Sequence, residues 1–499
     1  MSEPAQSKPS PVALTEREIR SIFSGLVLIM FLGAIDQTIV GPALPTMGRS
    51  LGDFNSLSWI VTIYLLSSTA VTPLAGKLTD LYGRRSVISA SVGIFMLGSL
   101  GSALAPNMLL MVIARGIQGL GGGGLITLAQ TVIGDIVSAR ERGKYQAYIS
   151  GMYAVAGLAG PTMGGFFAQY LSWRLIFWIN IPLCVIAVYA CDRVLKRLPR
   201  RSTQHKLDYA GTALLGCATI SLLLVLSWGG HEFAWGSAVI LTLLAASVLL
   251  GVLFVLHEGG AAEPIVPLTL LTNPVVRMTS SAGFLLMMSN VTLAIYVPLY
   301  FELYEGLPAS QSGAMMIGLV LGGVIGSFSS GQYMRVSGHY RLPPRIGLAI
   351  SGSCLVAVAL SIGHVPVLGI IPMLTLVGIG NGLTFPVLTV STQNAVQAKD
   401  LGVATAGQAF FRALGGMFGV SLFGALIVSL LPIHGGTKAD LETLAGQGAA
   451  FAARAPQVRL AFQSLFAGCG CVVLTAWLFA WRIPEIPLRS KALHESESE

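Results

Sequence analysis

The sequence predicts an all-α protein that crosses a membrane many times, and three observations lead there. Of the 499 residues 54% are hydrophobic and only 10% charged, whereas a soluble domain carries about 25% charged residues. Apolar stretches long enough to cross a bilayer, roughly 20 residues each, recur from one end of the chain to the other. Lysine and arginine gather in alternate connections between those stretches, as they do on one side of a membrane. The 59 glycines follow no three-residue period, which excludes collagen. The high hydrophobicity excludes a disordered chain.

Hydropathy places fourteen spans. The first runs over 20–44; its apolar run is too long for a signal peptide and has no convincing small-residue cleavage site, so it is a span. The next five, at 57–76, 86–105, 108–131, 145–170 and 174–192, complete an N-terminal six-helix bundle over 20–194. A basic cytoplasmic linker at 195–207 leads to a pair of helices at 208–228 and 237–257, forming a segment 208–257 inserted between the bundles. After a second cytoplasmic linker at 258–278, spans at 279–301, 312–334, 346–363, 366–389, 402–431 and 459–482 make a C-terminal bundle over 279–482. Residues 1–19 and 483–499 are cytoplasmic tails, and the outer segment 432–458 is too long for a minimal turn, with its form left open by the sequence.

The basic residues orient these spans. Arg17 and Arg20 precede the first; Lys77, Arg84 and Arg85 follow the second; Arg140, Arg142 and Lys144 follow the fourth. Six more lie between Arg193 and Lys206, and Arg335, Arg341 and Arg345 follow the tenth. The intervening loops are poor in them, so both termini are cytoplasmic and the protein is a multi-pass component of the inner (cytoplasmic) membrane. This accounts for the net charge of +8 without nucleic acid, for which aromatic interleaving and a folded module are missing. The six cysteines lie in or beside apolar stretches without metal-ligand spacing. "GKLTDLYGRR" after the second span and "GQYMRVSGHYR" after the tenth each hold two glycines seven apart, Gly76 with Gly83 and Gly331 with Gly338. Their matching positions suggest two related six-helix halves, a transporter architecture with the site between repeats.

Five blocks then resemble the major facilitator superfamily, and in particular its fourteen-span drug:proton antiporter branch. "GKLTDLYGRR" resembles the signature loop, with Gly76, Asp80, Gly83, Arg84 and Arg85 in register. "RGIQGLGGGG" resembles the fourth-helix motif through Arg115, Gln118, Gly119 and Gly121. "AGLAGPTMGG" resembles the antiporter motif of the fifth helix, with Gly160, Pro161, Gly164 and Gly165 matching and Ala156 in place of its first glycine. "AIDQTIVGPALP" and "WRLIFWINIP" resemble that branch in the first and sixth helices.

Asp36 is an acid inside a membrane helix and so a functional candidate. It lies roughly 13 Å from the outer end of its helix, and Arg115 lies roughly 12 Å from the outer end of the antiparallel fourth helix. At matched depth the two can pair, and the resemblance implies that they couple transport to protons. It also implies that the 76–85 loop gates the cytoplasmic side, with Asp80 held by basic groups or a helix N-terminus of the other half. Ala156, Gly160 and Gly164 have the spacing that lets helices approach closely, and Pro161 bends its helix. Arg412 falls near mid-membrane and must face protein or a cavity, orienting substrate or neutralising a partner. Trp59, Tyr64, Asn290, Tyr296, Asn381, Phe385 and Gln408 are the other candidate substrate contacts. No further acids occur in helices two, ten or thirteen, which argues against dicationic substrates and leaves neutral, monocationic and anionic amphiphiles open.

The expectation is therefore a monomeric secondary antiporter, not an enzyme, that exports amphiphilic small molecules such as drugs or toxic compounds. Its partners are the substrate, protons and the lipid bilayer. It needs no cofactor beyond the proton gradient, no metal and no nucleic acid. Gly121–Gly124 lack the Lys-Ser/Thr of a phosphate loop, which removes nucleotide binding. The alternatives are a dedicated exporter of an endogenous metabolite, siderophore or lipid and, from another class, a transport-inactive membrane sensor or scaffold.

Overall fold

The structure is a computed structural model that describes residues 16–53, 56–195, 207–230, 232–261, 264–430 and 449–489. Fourteen helices of at least sixteen residues dominate it. The first six are α1 (Glu16–Ile39), α2 (Leu57–Tyr82), α3 (Arg84–Leu104), α4 (Met108–Ile136), α5 (Ala139–Tyr170) and α6 (Asn180–Leu195). They are followed by α7 (Tyr209–Trp228) and α8 (Ala238–Glu258). The last six are α9 (Pro274–Leu303), α10 (Ile317–Ser337), α11 (Leu342–Ser361), α12 (Val367–Asn394), α13 (Leu401–Leu430) and α14 (Ala449–Trp481).

Among the described residues twelve helices are long and apolar enough to cross a membrane. The two outside that set are α5 and α6, where the sequence places its fifth and sixth spans. Helix α5 is long, but its first turns carry Arg140, Glu141, Arg142 and Lys144 and its remainder is rich in glycine. The expected span 174–192 is divided into a short turn, Leu175–Trp178, and α6. Other boundaries also move. Helix α9 begins at Pro274, inside the expected linker 258–278, because Asn273 caps it by accepting from the Val275 amide at 2.9 Å. Helix α14 begins ten residues before the expected start and carries Pro456 within it. Most of the basic linker 195–207, most of the outer segment 432–458 and most of both tails lie outside the described residues.

Two buried apolar cores stand side by side. One is built from α1 to α6 around Leu26, Phe95, Leu125 and Phe177; the other, largely from α9 to α14, surrounds Tyr300, Leu355, Phe462 and Phe466. The inserted pair packs α7 on α8, and α7 lies along α2 and α13 at the side of the bundle. At one end Trp59 meets Trp228 edge-on at 5.6 Å. At the other, Asp208 caps α7 through the Gly211 amide at 2.9 Å and meets His257 Nε2 of α8 at 3.0 Å. Burial works to raise the Asp208 carboxyl, but the Gly211 amide and the His257 ring outweigh it and hold the group below its ordinary range.

The halves join by exchanging equivalent helices. Helix α2 packs on α13, and α10, its counterpart, packs on α5. Each contact is made through a glycine of the repeated loop motif. A Cβ on Gly76 would stand 2.6 Å from the Gly402 carbonyl oxygen, and one on Gly331 would collide with the carbonyl of Gly143. The second glycine of each motif, Gly83 and Gly338, ends its helix with φ of 83° and 72°, a left-handed conformation that glycine adopts at little cost.

Candidate functional site

Three groups of the expected residues form sites, beginning with Asp36. The antiparallel run of α1 and α4 brings Arg115 Nη1 to 2.7 Å from Asp36 Oδ2. Asp36 is 0% and Arg115 1% exposed. Gln118, one turn from Arg115, donates through Nε2 to Asp36 Oδ1 at 2.8 Å, and Asn180 Nδ2 of α6 donates to the same oxygen at 3.3 Å. Asn180 also donates to Ser99 Oγ, which donates to the Phe177 carbonyl. Arg115 donates further to the Ile60 carbonyl and lies 4.3 Å above the Tyr64 ring. The carboxylate thus has a partner on each oxygen, and the cation rests on an aromatic face. Asn180 and Ser99 carry no role in the sequence reading, although Asn180 stands within the "WRLIFWINIP" block.

Helix α5 closes this group from the side. Thr38 Oγ1, two residues beyond Asp36, donates to the Ala156 carbonyl at 3.0 Å. A Cβ on Gly160 would strike Thr38, and one on Gly164 would strike the Ile39 carbonyl. Pro161 and Gly165 point elsewhere: Pro161 is exposed, and Gly165 has no neighbour within the space of a methyl group. This block of α5 therefore presents one packing face, made of Ala156, Gly160 and Gly164.

The second site lies at the end of the bundle that carries the basic loops. Arg84 bridges two acids, with Nη1 2.5 Å from Asp80 Oδ1 and Nε 2.7 Å from Asp135 Oδ2. Asp80 Oδ2 accepts from the Val403 amide at 3.2 Å, in the first turn of α13. Arg85 is half-buried on the same turn as Arg84. At the equivalent contact Arg140 donates to the Arg335 and Val336 carbonyls, at the last turn of α10. Gln393 Nε2 donates across to the Gln130 carbonyl. Neither Asp135 nor these glutamines stand out in the sequence as site residues; the signal for Asp135 is an acid one turn before a basic loop. Hydrogen bonds thus join the two halves at the basic end.

The third group lies on α12 and α13. Arg412 is 6% exposed, stands 4.6 Å over the Phe385 ring and donates to Thr389 Oγ1 at 3.2 Å. Gln408, one turn away, donates to the Leu388 carbonyl and Thr392 Oγ1, while its own Oε1 is buried without a protein partner. The remaining candidates are dispersed. Trp59 holds the inserted pair, Tyr64 supports Arg115, and Tyr296 lies in the C-terminal core. Asn381 accepts from Ser351 of α11 at 2.8 Å, and Asn290 is half-buried on α9. Glu302 and Glu305, near the end of α9, accept hydrogen bonds from Ser312 and Tyr300. Among the described residues no three His, Cys, Asp or Glu side chains are placed to hold a metal ion.

Comparison with known proteins adds the lineage. Residues 26–420 match the Major Facilitator Superfamily. The uncharacterized MFS-type transporter Rv1877 of Mycobacterium tuberculosis is 37% identical over 411 residues, 82% of this chain and 60% of that protein. The chain therefore spans less than two thirds of that relative's length. The multidrug transporter protein MdtP of Bacillus subtilis is 34% identical over 441 residues, covering 87% of this chain and 80% of MdtP. The solved structure of the proton:xylose symporter XylE superposes with a TM-score of 0.63 at 16% identity, covering 97% of this chain and 99% of XylE, a likeness of fold.

Proposed function

The chain belongs to the major facilitator superfamily, and we propose that it exports amphiphilic small molecules across the cytoplasmic membrane in exchange for protons. The observation that carries this reading is Asp36, a fully buried carboxylate paired with Arg115 inside the membrane-spanning bundle. A charge in that setting is costly unless paired, so a site that takes up and releases a proton there changes the stability of the whole arrangement. We read the closed basic end as the outward-facing phase. A proton arriving from outside neutralises Asp36 and weakens its hold on Arg115, Gln118 and Asn180. Helix α1 then shifts against the small face of α5, and the contacts of Asp80 and Arg140 at the basic end release. Substrate bound from the inside accompanies loss of the proton. The electrical part of the gradient supplies about 2.3 kcal/mol per charge per 100 mV. The relative named a multidrug transporter supports export of drugs or other toxic amphiphiles.

The topology we propose has fourteen spans, counting α5 and α6, with both termini cytoplasmic. Six helices in each half leave an even inserted pair, so tags on the two termini react from the same side. Function is tested with the full chain in proteoliposomes, an imposed pH gradient and a panel of neutral, cationic and anionic amphiphiles. Substrate flux against its gradient, with an opposite proton movement, is the expected result. Flux that ignores the gradient removes the antiport reading.

A further inference from the structure

We propose that Arg412 recognises a negatively charged substrate, binding the carboxylate, sulfonate or phenolate of an amphiphile whose apolar body lies between the two halves. The inference rests on the export reading and names its substrate class. Its first support is charge. Asp36 is matched by Arg115, and Asp80 and Asp135 are both bound to Arg84. Among the described residues Arg412 has no carboxylate partner, and the ionisable side chain acting on it is Tyr153 of the opposite half, a neutral phenol. Among the same residues a single acceptor, Thr389 Oγ1, serves its five N–H donors. A cation so placed is the complement of an anion, and its planar fork suits a carboxylate or sulfonate.

The second support is independent of that charge. One turn toward the basic end from Thr389 and Arg412 stand Gln393 and Gln408, each with a buried Oε1 that no protein group satisfies. Gln130 of α4, whose backbone carbonyl receives Gln393, has both amide atoms buried and unmatched. Buried polar groups are almost always satisfied, by water where not by protein, so a polar layer that can be hydrated adjoins Arg412. Arg412 lies roughly 17 Å along α13 from Leu401, beyond the contacts that close the basic end. Phe385 of α12, against whose ring Arg412 lies, supplies an apolar surface beside the charged head.

The test uses the full chain in proteoliposomes and two dyes on the same tricyclic ring, anionic fluorescein and cationic rhodamine 123. Fluorescein flux is expected to saturate, and Arg412→Gln should raise its KM by roughly ten-fold or more, the loss of a charge-assisted contact. Rhodamine flux should be unchanged or improved, and Arg412→Lys should keep most of the anion preference. Equal losses for both dyes would make Arg412 a packing residue and overturn the proposal. Gradient-driven rhodamine flux without fluorescein flux overturns it too, while leaving the export reading intact. Should neither dye bind or move, the proposal falls, and the export reading is judged on the wider panel. If Arg412→Gln does not fold, competition on the wild-type protein decides. Naphthalene-2-sulfonate should displace the bound dye at a roughly ten-fold lower concentration than its neutral sulfonamide; equal potency refutes the assignment.

Discussion

Arg115 and Arg412 are both buried arginines on helices of the bundle, both rest on an aromatic ring, and their surroundings treat the charge in opposite ways. Arg115 lies over Tyr64 and meets a carboxylate, an amide oxygen and a backbone carbonyl. Arg412 lies over Phe385 and meets one hydroxyl. A ring face alone offsets only part of the cost of burying a cation. Arg115 is therefore closed by an acid of its own half, while among the described residues Arg412 has no acid partner. Self-sufficient pairing suits a switch worked by a proton; an unmet charge suits a ligand.

The comparison breaks most severely at Asp36. Asp36→Asn should abolish gradient-driven accumulation in inverted vesicles, because an amide neither gains nor loses a proton in the working range, while substrate binding survives. Coupling at the wild-type level in this variant would place the proton elsewhere. Arg115→Ala strands the carboxylate instead and should lower stability in detergent by about 3–5 kcal/mol. Adding Asp36→Asn to it should recover part of that loss, since no buried charge then remains. A thermal melt of the three variants reads both effects.

A smaller effect is expected at the basic end, where the pseudo-symmetric helix contacts differ in sign. Asp80 places an anion at the N-terminus of α13, whereas Arg140 places a cation at the C-terminus of α10. Each opposes the partial charge of the helix end it touches. Asp80→Asn weakens one contact by about 1.4 kcal/mol, a roughly ten-fold shift between access states. Turnover should change by about that factor with little change in substrate Kd; a fall in expression alone would make Asp80 structural.

The smallest effect concerns the inserted pair, which touches neither buried arginine. Asp208→Ala removes the cap of α7 and should cost about 1 kcal/mol. The carboxyl is held below its ordinary range, so its contribution is present above the unfolded value near 4 and fades as pH falls through the lower folded value. The stability gap between wild type and variant should therefore begin to narrow as pH falls below about 4, as melts across pH 3–7 will show.

The sequence by itself determined the helical membrane architecture, the places of most spans, the loop glycines and the pairing of Asp36 with Arg115. These follow from features that local composition carries: apolar length, the sign of charge in alternate loops, and depth counted along antiparallel helices. Candidates chosen because they were polar or aromatic fared unevenly, since type and depth do not say which way a side chain turns. Phe385 and Gln408 gather around Arg412, while Trp59 turns to Trp228 and Tyr296 enters a core. Asn180 was legible as a residue but not as a ligand of Asp36, because 144 positions separate the two. The tertiary structure alone decided that Arg84 binds Asp135 as well as Asp80, that Gly76 meets Gly402 while Gly331 meets Gly143, and that Arg412 meets no acid among the described residues. Each of these depends on which helix faces are pressed together across the two halves. That choice is made by packing over long sequence separations, and no local pattern records it.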